Sequence, residues 1–161
     1  MIRPATVDDA EAIARIYDHY VRNTAISFEE DPVAPIAIAG RIAKVLSTPL
    51  PYLVVAPADR VIGYAYAARW HGRSAYRFAV ETSIYLDPNE VGNGLGICLY
   101  STLLDRLKDH GLHAAIGGIA LPNEASVALH ERLGFAKVAH YREIGFKLGR
   151  WIDVGYWQRL I

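Results

Sequence analysis

Four segments of the chain place apolar residues three or four positions apart, the spacing that predicts amphipathic helices. The first follows a capping-box pattern, Thr6-x-x-Asp9. The third stops at Gly111, and the fourth is ended by Gly134, as glycine commonly ends helices. The predicted helices cover, in order, the residues after Thr6, residues 33–46, the segment around Leu99, Leu103 and Leu107, and the residues after Pro122 and Asn123.

Seven other segments alternate apolar and polar residues or are rich in β-branched and aromatic side chains, which predicts β-strands. They cover residues 1–5, 52–56, 61–68, 79–86, 113–119, 135–141 and 152–160. A tight turn at Ala58-Asp59-Arg60 joins the second and third of them into a hairpin. The order is one strand, two helices, three strands, a helix, a strand, a helix and two strands, which predicts a mixed α/β architecture.

Composition and charge narrow the classes of function. The 161 residues fit one compact domain, residues 1–161, and 52% of them are hydrophobic, enough for a sizeable core. Lys and Arg together number 17, and so do Asp and Glu, so no excess of positive charge favours nucleic acid as a partner. No apolar run approaches the ~20 residues that span a bilayer. We therefore expect no nucleic acid and no membrane partner.

The cysteine content and the first residues predict a cytoplasmic protein. Cys98 is the single cysteine, so no intrachain disulfide can form, as a reducing compartment permits. The segment MIRPATVDDAEAIARIY has acidic residues where a secretory signal needs an apolar stretch. His110 and His113 flank Gly111 and do not form a metal-binding pair, so no metal is expected.

A glycine-rich turn between a predicted strand and a predicted helix is the strongest candidate for a ligand site. Gly92, Gly94 and Gly96 leave backbone N–H groups uncovered at a helix start, an arrangement that binds phosphate. A turn without a ligand is the alternative. The motif lacks the Gly-Lys-Ser/Thr of a P-loop, and Ile97 stands where the dinucleotide fingerprint has a glycine.

The segment from Val91 to Gly96 resembles the pyrophosphate loop of the GNAT acetyltransferase superfamily, Arg/Gln-x-x-Gly-x-Gly/Ala, with Val91 in place of Arg or Gln. Residues 121–135, LPNEASVALHERLGF, resemble that family's Asn-x-x-Ser/Ala…Tyr…Gly-Phe segment. The resemblance implies a single GNAT-type α/β domain, with a mixed, mostly antiparallel sheet of about seven strands flanked by about four helices. It also implies acetyl-CoA as co-substrate. The residues expected against acetyl-CoA are Ile84, Tyr85, Leu86, Gly92, Asn93, Gly94, Leu95, Gly96, Ile97 and Asn123.

A narrower resemblance covers almost the full chain. Residues 75–86, 94–104, 121–135 and 145–158 are similar to the phosphinothricin acetyltransferase branch of the superfamily, and GFKLGRWIDVGYWQ is the most branch-specific segment. That branch acetylates phosphinothricin, methionine sulfoximine and methionine sulfone. The resemblance implies acetyl transfer to the amino group of a small amino-acid-like substrate by direct attack in a ternary complex. It also implies a homodimer with active sites near the interface.

Glu81 and His130 are the candidate catalytic residues. Glu81 lies in a strand of apolar residues, where burial raises a carboxyl pKa and suits a general base, and the resembled branch has its proposed base at this position. A structural ion pair with an arginine is the alternative. His130 lies seven residues after Asn123 on the same side of a helix, where GNAT enzymes often have the tyrosine that protonates the leaving thiolate. A packed helix residue with a satisfied ring is the alternative for His130.

The branch resemblance also implies a substrate pocket, and two other functions stay open. An arginine fork suits a carboxylate or a phosphinate, although an ordinary exposed charge is the alternative for Arg73. Tyr100 matches a pocket position too, but its helical spacing also fits the core. The other functions are a GNAT enzyme for a polyamine, an antibiotic or a protein N-terminus, and a non-catalytic acyl-CoA-binding regulator. The pocket residues implied are Phe28, His71, Gly72, Arg73, Tyr76 and Glu81.

Overall fold

Seven strands form one continuous sheet in the computed structural model, which describes residues 1–161. The strands are β1 (Ile2–Pro4), β2 (Tyr52–Val55), β3 (Gly63–Arg69), β4 (Ala79–Leu86), β5 (Ala114–Leu121), β6 (Ala136–Lys147) and β7 (Arg150–Leu160). Their order across the sheet is β1-β2-β3-β4-β5-β7-β6, and β4 with β5 is the one parallel pair. The predicted mixed, mostly antiparallel sheet is confirmed.

Four α-helices cover the sheet, as predicted, and each face of the sheet has its own apolar core. The helices are α1 (Ala10–Asn23), α2 (Pro35–Leu46), α3 (Leu95–Asp109) and α4 (Glu124–Arg132). Helices α1 and α2 pack on one face, where Ile13, Ile16 and Ile42 are almost completely buried. Helix α3 packs on the other face through Leu99, Leu103 and Leu107, the leucines whose spacing predicts it.

The capping-box pattern read from the sequence forms a short 3₁₀ turn, Val7–Asp9, which leads into α1. The Asp9 carboxylate accepts the Thr6 backbone N–H at 2.8 Å, which satisfies a donor that a helix start leaves free. Arg3 of β1 donates two hydrogen bonds to the same carboxylate, at 2.8 and 2.7 Å. The contact joins the first strand to the first helix.

The last two strands are longer than predicted. The sequence predicts strands over 135–141 and 152–160, whereas β6 runs to Lys147 and β7 begins at Arg150. The polar pair Arg142-Glu143 interrupts the alternation, which is why the prediction stops there. In the structure the strand continues through a bulge at which Glu143 has a positive φ of 51°. No helix combines the length and the apolar character that crossing a bilayer requires.

Candidate active site

Two neighbouring parallel strands part at the centre of the sheet. Strand β4 pairs with β5 over three residues, ending at Glu81 opposite Ile116. Beyond that point both strands continue, β4 to Leu86 and β5 to Leu121, without pairing to each other. Glu81 therefore lies where the two strands separate, at the entrance of a V-shaped opening in the sheet.

The opening exposes backbone groups of β4. The Asp87 N–H donates to Ile62 O, so Asp87 points its backbone groups toward the β3 side. In an antiparallel pair, alternate residues point their N–H and C=O groups to the partner strand and the residues between them point the other way. Ile84 and Leu86 therefore point their N–H and C=O groups into the opening. The Tyr20 hydroxyl from α1 donates to Leu86 O at 2.6 Å, which leaves the Leu86 N–H as a free donor. An extended amide-bearing chain could pair with these groups as an added strand does.

The glycine turn lies at the mouth of the opening, at the start of α3. Gly92 and Gly94 have positive φ values of 86° and 76°, which glycine adopts without steric cost. The first hydrogen bond of the helix runs from Cys98 N to Gly94 O, so the N–H groups before Cys98 have no partner inside the helix. Unpaired N–H groups at the positive end of the helix dipole favour an anion.

A groove of about 610 Å³ connects the glycine turn with the opening. It is lined by eight of the ten residues that the resemblance assigns to acetyl-CoA: Ile84, Tyr85, Leu86, Gly92, Gly94, Gly96, Ile97 and Asn123. Asn93 and Leu95 stand outside the lining, because Asn93 lies on the exposed side of the turn and the Leu95 side chain packs on the core. Asn123 caps α4 by accepting the Ser126 N–H at 3.1 Å.

Three residues with polar side chains line the groove without having been predicted from the sequence. Tyr20, Ser126 and Arg132 all line it. Nothing in the spacing of Tyr20 distinguishes it from a core residue of α1. Arg132 is exposed at the end of α4, where it offers the groove a positive charge that Val91 does not. The sequence holds one signal for Arg132. Because Val91 replaces the usual Arg or Gln of the loop, a positive charge for the groove has to come from another element.

A second pocket, of about 730 Å³, lies on the other side of the opening and holds Glu81. We call it the acceptor pocket. Burial raises the pKa of the Glu81 carboxyl above its usual range, and the nearby His71 opposes that shift. No arginine forms an ion pair with Glu81, so the structure does not support the alternative that this carboxylate is part of a structural ion pair. A half-buried, unpaired carboxylate with a raised pKa is a stronger base than an exposed carboxylate, which suits general-base catalysis.

The acceptor pocket contains only part of the predicted substrate set. Phe28, His71 and Glu81 line it, whereas Gly72, Arg73 and Tyr76 do not. The Tyr76 ring reaches the pocket indirectly, through an edge-on contact of 5.1 Å with His71. The aromatic and aliphatic walls include Trp70, which follows β3, and residues of β6 and β7, none of which the site prediction included: Val138, Tyr141, Ile144, Val154 and Tyr156.

His130 is buried, and both of its ring nitrogens are occupied. Nδ1 lies 2.7 Å from Ser126 O and must donate to it, because a carbonyl only accepts. Nε2 lies 3.0 Å from the Tyr100 hydroxyl, which in turn lies 2.6 Å from Thr82 Oγ1. Burial lowers the pKa of His130, so the ring is neutral at neutral pH. A Cβ at Gly117 would overlap the ring, so glycine provides the space for it.

A narrow passage connects the groove with the acceptor pocket. It is lined by His130, Asn123 and Ser126 together with Ile84 and Gly118. Ile84 also lines the groove, and Gly118 also lines the acceptor pocket. The arrangement places unpaired helix N–H groups, free backbone donors and a carboxylate with a raised pKa along one continuous path. No group of three or more His, Cys, Asp or Glu side chains could hold a metal ion.

Comparison with known proteins identifies the family. The acetyltransferase (GNAT) domain family matches residues 2–155. A phosphinothricin N-acetyltransferase from Streptomyces coelicolor is 40% identical over 164 residues, covering 98% of this chain and 94% of the relative. An L-methionine sulfoximine/L-methionine sulfone acetyltransferase from Salmonella typhimurium is 36% identical and covers 98% and 92%.

The solved structures give the same result. A phosphinothricin acetyltransferase of the GNAT superfamily from Sinorhizobium meliloti, in complex with acetyl-CoA, superposes with a TM-score of 0.97 at 38% identity. The superposition covers 100% of this chain and 88% of that one. The chain belongs to the GNAT acetyltransferase family.

Proposed function

We propose that this protein transfers the acetyl group of acetyl-CoA to the amino group of a phosphinothricin- or methionine-sulfone-type amino acid. The observation that carries the proposal is the position of Glu81, an unpaired carboxylate in the acceptor pocket at the point where β4 and β5 separate. The activities of the two sequence relatives support the substrate class. The whole chain, residues 1–161, would act as one domain.

The proposed reaction is direct transfer within a ternary complex. Gly92, Gly94 and the first turn of α3 would hold the pyrophosphate of acetyl-CoA, and the free backbone groups of Ile84 would hold its pantetheine arm. Glu81, directly or through a water molecule, takes a proton from the substrate ammonium. The free amine attacks the acetyl carbonyl, and the Leu86 N–H donates to the oxyanion, a contribution of ~3 kcal/mol.

His130 is the proposed acid for the departing CoA thiolate. Because its neutral ring already donates from Nδ1 to Ser126 O, the ring must first be protonated to have a proton to give. A rate limited by this step would fall as pH rises through the lowered pKa of His130. His130→Asn keeps an N–H but cannot titrate. A kcat within a few-fold of wild type, with the same pH profile, would assign His130 to positioning alone.

The test of substrate class is a panel of acceptors with acetyl-CoA as the donor. We expect N-acetylated product from phosphinothricin, methionine sulfoximine and methionine sulfone, detected by mass spectrometry alongside CoA release. Turnover of spermidine, an aminoglycoside or a peptide N-terminus with no turnover of the amino acids would contradict the proposed class. Tight acetyl-CoA binding with no turnover of any acceptor would favour a regulator.

We also propose a homodimer in a reducing, cytoplasmic setting. The outer face of β6 and β7 is apolar and exposed, with Phe146 and Trp151 each more than half accessible to solvent. Exposed apolar patches of this kind commonly form interfaces, and symmetric dimers are the commonest assembly. Light scattering should give about twice the 17.8 kDa chain mass, and a monomer mass at micromolar concentration would contradict the dimer.

A further inference from the structure

The loop between α1 and α2, residues 24–34, forms one wall of the acceptor pocket. Ile26 and Phe28 of this loop line the pocket. The Ser27 hydroxyl between them lies 2.7 Å from the Tyr17 hydroxyl of α1, which fixes the loop from its own helix. Loops usually move more than the elements they connect, so a loop that shapes a pocket needs further support.

Lys147 supplies a support from a distant part of the chain, the end of β6. Its side chain is 3% exposed, and its Nζ donates to Ser27 O at 2.6 Å. No carboxylate forms an ion pair with it, although Glu29 and Glu30 lie near enough to oppose the lowering of its pKa by burial. A buried ammonium is unfavourable without a partner, so the Ser27 carbonyl and Lys147 hold each other. The contact fixes the backbone immediately before Phe28.

Gly145 supplies the second support, two residues before Lys147 on the same side of the strand. Phe146, the residue between them, is exposed on the opposite side, whereas Gly145 and Lys147 are turned toward the loop. A Cβ built at Gly145 would overlap the ring of Phe28. The absence of a side chain at position 145 therefore leaves the space in which the Phe28 ring lies.

We propose that Gly145 and Lys147 are specificity-determining positioning residues, which hold Phe28 as a fixed wall of the acceptor pocket. Neither residue lines the pocket, so they act through Ser27 and Phe28. The proposal rests on the proposed function for its substrate, an amino acid with a short polar side chain. It adds that the width of the pocket is set by β6 and not by the loop alone.

The lysine is tested by Lys147→Met, which keeps an unbranched side chain of nearly the same length and removes the donor. We expect KM for methionine sulfone to rise roughly tenfold, the factor that applies when only about a tenth of the molecules keep Phe28 in the pocket wall, with KM for acetyl-CoA unchanged. Lys108→Met is the matched control, because Lys108 is exposed on α3 and makes no side-chain hydrogen bond. Equal KM values for the acceptor in both variants would overturn the role of Lys147.

The glycine is tested by a double-mutant cycle with Phe28. Gly145→Ala should raise KM for the acceptor in the wild-type background, because the added methyl displaces the ring. In a Phe28→Ala background the same change should have no further effect, since the ring it would strike is gone. Gly40→Ala is the control, because a Cβ at Gly40 in α2 meets no protein atom within 4 Å. Equal effects of Gly145→Ala in both backgrounds would refute the contact as its cause.

Hydrogen exchange separates this proposal from the proposed function. In the free protein, amide exchange over residues 24–31 should be faster in Lys147→Met than in wild type, and unchanged in Lys108→Met. Faster exchange in a protein that acetylates none of the amino acids would support the positioning role and remove the substrate class. Unchanged exchange in a variant of an active enzyme would remove the positioning role and leave the substrate class intact.

Discussion

Leucine at Gly94 tests the phosphate cradle, and leucine at Gly111 is its matched control. The two glycines have nearly the same positive φ, 76° and 73°, and they flank the two ends of α3. At each position an added Cβ meets no protein atom within 4 Å. Only Gly94 lines the groove. The two substitutions therefore carry the same backbone strain but differ in what they do to a ligand.

The magnitudes follow from that geometry. A non-glycine residue in the left-handed region costs about 1–2 kcal/mol, so both variants should melt roughly 2–8 °C below wild type. Only Gly94→Leu places a side chain where the pyrophosphate approaches the backbone. Loss of one charge-assisted hydrogen bond costs about 1.5–3 kcal/mol, a roughly ten- to hundredfold weaker acetyl-CoA affinity.

Calorimetric titration with acetyl-CoA, together with thermal unfolding of both variants, provides the comparison. Gly111→Leu should bind acetyl-CoA like wild type despite its lower melting temperature. If the two variants bound acetyl-CoA equally well, or equally poorly at equal stability, the assignment of the cradle to Gly94 would be wrong.

Three further predictions concern the pH profile, the acceptor and the fold. His71→Ala removes the charge that lowers the pKa of Glu81, so the acid limb of the pH profile of kcat/KM should move to higher pH. If the limb does not move, His71 does not affect the pKa of the base. Arg73 is predicted to reach the acceptor from its loop, so Arg73→Ala should raise KM for phosphinothricin roughly tenfold or more and leave KM for acetyl-CoA unchanged. Equal KM values in the variant and wild type would show that Arg73 is an ordinary exposed charge. Asp9→Asn should destabilise the fold by about 1–2 kcal/mol, because Asp9 bonds both Arg3 and a helix N–H. Because the pKa of Asp9 is lowered in the folded state, its contribution to the free energy of unfolding is full above the unfolded-state pKa and is lost as pH falls through the folded-state pKa. An Asp9→Asn variant as stable as wild type at neutral pH would refute this contribution.

The parts of the fold that the sequence predicts are those set by local chemistry. The leucines of α3 repeat at helical spacing, and the glycines of the turn allow positive φ, so both could be located without any tertiary contact. The end of β6 could not, because its bulge at Glu143 is stabilised by Asp153 of β7, whose carboxylate accepts the Glu143 N–H at 2.8 Å. A contact across ten residues leaves no trace in the local pattern.

The candidate site also has parts that a single segment of sequence predicts and parts that it does not. The predicted groove residues belong to contiguous motifs, and eight of those ten residues line the groove. The acceptor pocket is built by side chains from separate elements, such as Trp70 after β3 and Tyr156 of β7, whose rings meet edge-on at 5.7 Å. Their proximity follows from the strand order, which places β7 beside β5 and across the opening from β3 and β4. No spacing within one segment encodes it.

The rate of Glu81→Gln measures the central claim most directly. Glutamine keeps the size of the side chain but cannot accept the ammonium proton. With phosphinothricin or methionine sulfone as the acceptor, kcat should fall by ~10²–10⁴-fold, while calorimetry shows acetyl-CoA binding near that of wild type. A variant that binds acetyl-CoA normally and keeps the wild-type kcat from acidic to alkaline pH would contradict the account, because Glu81 would then not be the base.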